Sequence, residues 1–78
     1  MPRYFFHIRD DGLLVTDVEG VELPDIPDLE ERLLKVAREV LAEEEWKAEL
    51  TDGRSFEIVN EEGRTILVVP FRNLQFLP

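Results

Sequence analysis

Arg54-Ser55-Phe56-Glu57-Ile58-Val59-Asn60-Glu61-Glu62-Gly63-Arg64-Thr65-Ile66-Leu67-Val68-Val69-Pro70-Phe71 is the stretch that decides the fold. Its first part alternates polar and apolar residues with period two, as a strand with one buried face does. Asn60 to Gly63 is hairpin chemistry, a type I turn closed by a glycine in the bulge position, so Arg64 to Phe71 returns as an antiparallel strand. With Gly63 at that position Ile58 is expected to face Ile66 and Phe56 to face Val68, all four in the core. The opposite face then holds Ser55, Glu57, Val59, Thr65, Leu67, Val69 and Phe71. Pro70 has no N–H for the ladder and is expected where pairing ends.

Working outward, Arg3 to Ile8 is aromatic and β-branched and reads as a first strand with Tyr4, Phe6 and Ile8 on one face. Asp10-Asp11-Gly12 turns it into Leu13-Leu14-Val15-Thr16. The loop can be Asp11-Gly12 alone or three residues ending at Gly12, which is the reading we favour; a change by one residue flips the faces of the second strand. Asp17 to Pro24 reads as a loop that sends Val18, Val21 and Leu23 toward the core.

A helix is expected to begin between Asp25 and Asp28, where either aspartate can cap the first amides and Glu30-Glu31 suit the positive end of the dipole. At 100° per residue Leu29, Leu33, Val36, Ala37, Val40 and Leu41 form one stripe, with Glu31, Arg32, Lys35, Arg38 and Glu39 toward solvent. Glu44 falls on the stripe and Trp46 almost opposite it, so the helix is expected to end or bend near Glu45. Trp46 then either folds back over the core's edge or stands out as a contact residue. The expected fold class is α+β: one domain over residues 1–78, an antiparallel four-stranded sheet (ββαββ) packed on one amphipathic helix.

Composition narrows function. Eighteen acidic against nine basic residues give a formal net charge of −9, and the basic residues are scattered singly, which argues against nucleic acid as a partner. The chain contains no cysteine, which removes disulfides, thiolate zinc sites and a cysteine nucleophile, and favours a cytoplasmic location. The N-terminal apolar run is too short for a signal peptide, and no apolar stretch approaches the roughly 20 residues of a membrane-spanning helix, so no membrane association is expected. His7 is the only histidine and has no evident partners for catalysis. The acids Asp10, Asp11, Asp17, Glu19 and Glu22 match no calcium-loop spacing and read as a solvated rim. No cofactor, metal site or catalytic residue is expected, and the chain reads as a non-enzyme.

A set of motifs spans almost the whole chain: Met1-Pro2-Arg3-Tyr4-Phe5-Phe6-His7 with Arg9-Asp10; Asp17 with Glu19-Gly20-Val21-Glu22-Leu23-Pro24-Asp25; Ala37-Arg38-Glu39 with Leu41-Ala42-Glu43; and Gly53-Arg54-Ser55-Phe56-Glu57-Ile58 followed by Gly63-Arg64 and Val69-Pro70-Phe71. Through them the chain resembles a family of short, uncharacterised alphaproteobacterial proteins abundant in rhizobia and methylobacteria. The resemblance implies no activity, ligand or catalytic residue to carry over. The helix is richer in Glu, Leu and Lys than that pattern, as in Leu33-Leu34-Lys35 and Glu43-Glu44-Glu45, which suits an engineered member, a scaffold with no natural function.

What remains is an interaction module. The outer sheet face carries Phe5, His7, Leu67, Val69 and Phe71, too apolar for a face turned to water, so either the tail Leu74-Gln75-Phe76-Leu77 folds over it or it is an interface, with Trp46 as an outlying anchor. Contact through that face or through a strand edge, with another protein or in a homodimer, is the expected function. The alternative is an acidic mimic or inhibitor that binds a basic protein surface.

Overall fold

Two tight turns set the sheet. Asp11 (φ 48°) and Gly12 (φ 92°) both lie in the left-handed region, and Asp10 pairs with Leu13, so the first hairpin closes through two residues rather than three. At the second, the Asn60 side-chain oxygen accepts from the amides of Glu62 and Arg64, both at 3.0 Å, and Gly63 takes φ 82°. The computed structural model describes residues 2–43 and 53–74. Along them run β1 (Arg3–Asp10), β2 (Leu13–Val15), β3 (Val21–Glu22), α1 (Leu29–Glu43), β4 (Ser55–Val59), β5 (Thr65–Pro70) and α2 (Phe71–Leu74).

Among the described residues the architecture is α+β, with five strands and two helices, and corrects the expectation of four strands on one helix. The order is β2-β1-β4-β5, all antiparallel, and β3 pairs with β1 at the end that β2 leaves open. β3 lies in the segment read as a loop; two residues are too few to show a period, and they are held by pairing with Arg3 and Tyr4, extended by the Leu23 amide donating to the Pro2 carbonyl at 3.0 Å. α2 is a single turn that starts after Pro70 leaves the ladder opposite Ser55. It turns Phe71 and Leu74 inward, and the Phe71 amide donates to the Arg54 carbonyl at 2.9 Å.

α1 lies on one face of the sheet and begins where the Arg32 amide donates to the Asp28 carbonyl, which makes Asp28 its N-cap. Leu33, Ala37 and Leu41 are buried along one line, flanked by half-buried Leu29, Val36 and Val40, which is the stripe read from the sequence. They meet Tyr4, Phe6, Leu23, Phe56, Ile58, Val69, Phe71 and Leu74. Phe56 is the hub: the Phe6 ring meets it nearly edge-on at 6.0 Å and the Phe71 ring lies 4.7 Å away.

The second hairpin corrects the expected register. Val59 pairs with Thr65 as the turn dictates, but Ile58 then pairs with Leu67 and Phe56 with Val69, so the ladder slips by one residue at a bulge containing Ile66. Leu67 and Val69 therefore join the helix side, while Ile66 and Val68 stand exposed. Ile66 to Val69 is apolar at every position, so alternation had no polar residue with which to choose a face. The expected bend near Glu45 and the placement of Glu44 and Trp46 lie outside the described residues.

Candidate interaction surface

β1 is paired with β4 along Phe5 to Arg9 on one side. On its other side β2 covers Ile8 to Asp10 and β3 covers Arg3 and Tyr4, which leaves a gap beside Phe6. Asp17 closes it. One carboxylate oxygen accepts from the Phe6 amide at 3.1 Å, and the other accepts from the amides of Glu19 and Gly20, each at 3.2 Å. The Asp17 amide donates to His7 Nδ1 at 3.0 Å, which makes that nitrogen the acceptor of the ring. At Gly20 (φ 72°) a Cβ would lie 2.9 Å from Arg3 Cγ and from Phe5 Cε1, so only glycine lets the loop sit this close to β1.

The other edge of β2 has no strand beside it among the described residues. Leu13, Leu14 and Val15 are 71%, 39% and 53% exposed, and Val18 in the following loop is 84% exposed. At the end of β2, between β1, the segment from Thr16 to Val21 and α1, runs an open groove of about 430 Å³, lined by Phe6, Ile8, Val15, Val21 and Val40 on its apolar side and by Thr16, Asp17, Glu19 and Gly20. The basic side chains on β1 and at the start of β4 are already engaged: Arg3 with Glu22 at 3.4 Å, Arg9 with Glu57 at 2.7 Å and Arg54 with Asp10 at 3.3 Å. Among the described residues no ion pair engages the carboxylates of Asp11, Asp17 or Glu19, and Arg3 Nη1 donates to the Glu19 backbone carbonyl at 2.6 Å.

The face of the sheet away from α1 is built differently from expectation. Phe5 and His7 do sit there, half-buried, their rings stacked at 6.3 Å. Val69 and Phe71, expected beside them, are in the core, and Leu67 packs against the core from the helix side. Trp46 lies outside the described residues. Across the centre of this face Arg9 makes a two-pronged contact with Glu57, Nε to Oε2 at 2.7 Å and Nη2 to Oε1 at 3.3 Å, so a charged pair interrupts the apolar patch. The residues that sequence reasoning passed over as contacts are Leu13, Leu14, Val15 and Val18. For Leu13, Leu14 and Val15 the signal was the absence of any charge or proline from Gly12 to Thr16, whereas Val18, expected toward the core, is exposed instead.

Hydrogen bonding from Arg9 holds the Glu57 carboxyl below its usual range, partial burial opposes it, and the charges of Arg9 and His7 add to the lowering; the same bond raises Arg9. The unfolded chain therefore binds a proton at Glu57 before the folded one does, so stability rises with pH in that window. The contribution is present above the unfolded carboxyl value of roughly 4.3 and is lost as pH falls through the lower folded value. Urea midpoints of wild type and Glu57→Gln are expected to differ at neutral pH, with wild type the more stable, and to converge in acid.

Residues 3–72 match the family described as "Domain of unknown function (DUF6894)". The chain belongs to this family. The DUF6894 match covers β1 through the first half of α2, so both sheet edges and the groove lie inside it. No curated protein and no solved structure matches the chain. Among the described residues no group of three or more His, Cys, Asp or Glu side chains is placed to hold a metal ion, and no helix is long and apolar enough to cross a membrane.

Proposed function

We propose that this DUF6894 domain is a non-enzymatic protein-interaction module that binds by adding a partner's strand to the edge of β2. The observation that supports this most is the character of that edge. Natural sheets protect their edges with charge, proline, bulges or a covering element, because unpaired N–H and C=O groups otherwise recruit other chains. β2 is short, at three residues, but carries none of the first three, and its side chains are exposed and apolar. Strand addition gives affinity through the backbone and specificity through alternate side chains, here Val15 at the groove, Leu13 on the same face of the strand and Leu14 on the other. A second copy of the chain is one partner such an edge accepts, which is the homodimer form of the reading. An alphaproteobacterial origin and a cytoplasmic location complete it.

A photo-cross-linking amino acid at position 14, used in the cells that make the protein, tests the proposal. The same group at Lys35, on the solvent side of α1, is the control. A discrete adduct from position 14 alone is the expected result, and an identical pattern from both positions, or none from either, contradicts it.

A further inference from the structure

We propose that the strand received at β2 is basic: an extended partner segment in which apolar residues alternate with Lys or Arg. The inference rests on the strand-addition reading above and adds the chemistry of the occupant. The apolar floor of the groove, Phe6, Ile8, Val15, Val21 and Val40, takes the alternate apolar side chains of an added strand. Asp17 and Glu19 line its rim, and Asp11 stands exposed at the tip of the β1–β2 turn.

These three carboxylates are where the partner's charges belong. Arg9 and Arg54 pair with Glu57 and Asp10, and Arg3, which pairs with Glu22 and donates to the Glu19 carbonyl at 2.6 Å, is the one sheet cation beside the rim; among the described residues no ion pair engages the Asp11, Asp17 or Glu19 carboxylates. The Asp17 carboxylate is fixed by three backbone amides, which holds a negative charge at the mouth of the groove without a compensating side chain. A second copy brings the same acids to the same edge. In a two-fold antiparallel pairing of β2 with β2, rim faces rim, on top of a net charge of −9 for each chain. Like charges brought together oppose association, whereas a Lys- or Arg-bearing strand relieves them.

Two short synthetic peptides test this, one alternating Val with Lys and one alternating Val with Glu, titrated into the intact ¹⁵N-labelled chain. The Val-Lys peptide is expected to shift the amides of Leu13 to Thr16 and to bind about tenfold or more tighter than the Val-Glu peptide. Its affinity is expected to fall at least several-fold between about 0.05 M and about 0.5 M salt. Glu19→Gln with Asp11→Asn, both exposed, is expected to weaken it several-fold with the fold intact. Equal binding of the two peptides overturns the basic partner and leaves strand addition standing. Sedimentation showing a dimer whose β2 amides are protected also overturns it, in favour of the second copy. If neither peptide binds and the chain is a monomer, both the basic partner and the strand-addition reading fall.

Discussion

Val69→Lys is expected to abolish folding, while Val68→Lys, one residue away, is expected to leave stability within about 0.5 kcal/mol of wild type. Val69 is 4% exposed and Val68 54% exposed. Val69 pairs with Phe56 and belongs to the cluster that contains Phe71 and Leu74, where a lysine displaces close-packed apolar contacts and can reach a carboxylate only at Glu30 across the groove between β5 and α1. Burying a charge costs several kcal/mol even after relaxation, and a domain of this size has only about 5 kcal/mol to lose. Val68 pairs with Glu57 on the face away from α1, where a lysine meets solvent and a carboxylate. Far-UV circular dichroism with urea titration distinguishes the two. Had the ladder kept the register that the turn begins, the sensitivities would be exchanged.

Asp17→Ala is expected to cost about 2–3 kcal/mol, less than the sum of three charge-assisted hydrogen bonds because water replaces part of what the exposed loop loses. The Glu19 and Gly20 amides sit near the surface and find water, but the Phe6 amide belongs to a central strand, in the gap that neither β2 nor β3 fills. Asp17→Asn keeps one oxygen and is expected to lose less than alanine, since either orientation of the amide turns an NH₂ toward at least one backbone donor. Urea midpoints rank wild type, asparagine and alanine in that order. Amide exchange at Phe6 is expected to accelerate more than exchange at Ile58 in both variants. Equal stability of all three proteins would show that the carboxylate does not close the edge.

The parts of this fold that were legible in the sequence are those where polar and apolar residues take turns. On α1 the stripe from Leu29 to Leu41 is bounded by charges, and its centre, Leu33, Ala37 and Leu41, is buried as that pattern requires. On β4 the alternation of Phe56 and Ile58 with Ser55 and Glu57 places the faces correctly. Where alternation stops, so does the reading. The run Ile66-Leu67-Val68-Val69 serves either face, and the choice is made by a bulge that no residue in it announces. The same slip accounts for the candidate contacts: Leu67 and Val69 move to the helix side, and Phe71 is turned into the core by α2. β3 is held by pairing with residues far along the chain, and two positions carry no pattern of their own. β2 was legible as a strand but not as an edge, because edge status depends on strand order. Sequence reasoning therefore named the outer face or a strand edge as the interaction surface without saying which edge.

Cross-strand nuclear Overhauser contacts in the second hairpin test that slip, which carries Leu67 and Val69 to the helix side and leaves Ile66 and Val68 on the outer face. Backbone contacts joining Ile58 to Leu67 and Phe56 to Val69 are the predicted result. Contacts joining Ile58 to Ile66 and Phe56 to Val68 would contradict it, return Leu67 and Val69 to the outer face, and make that face the surface to explain.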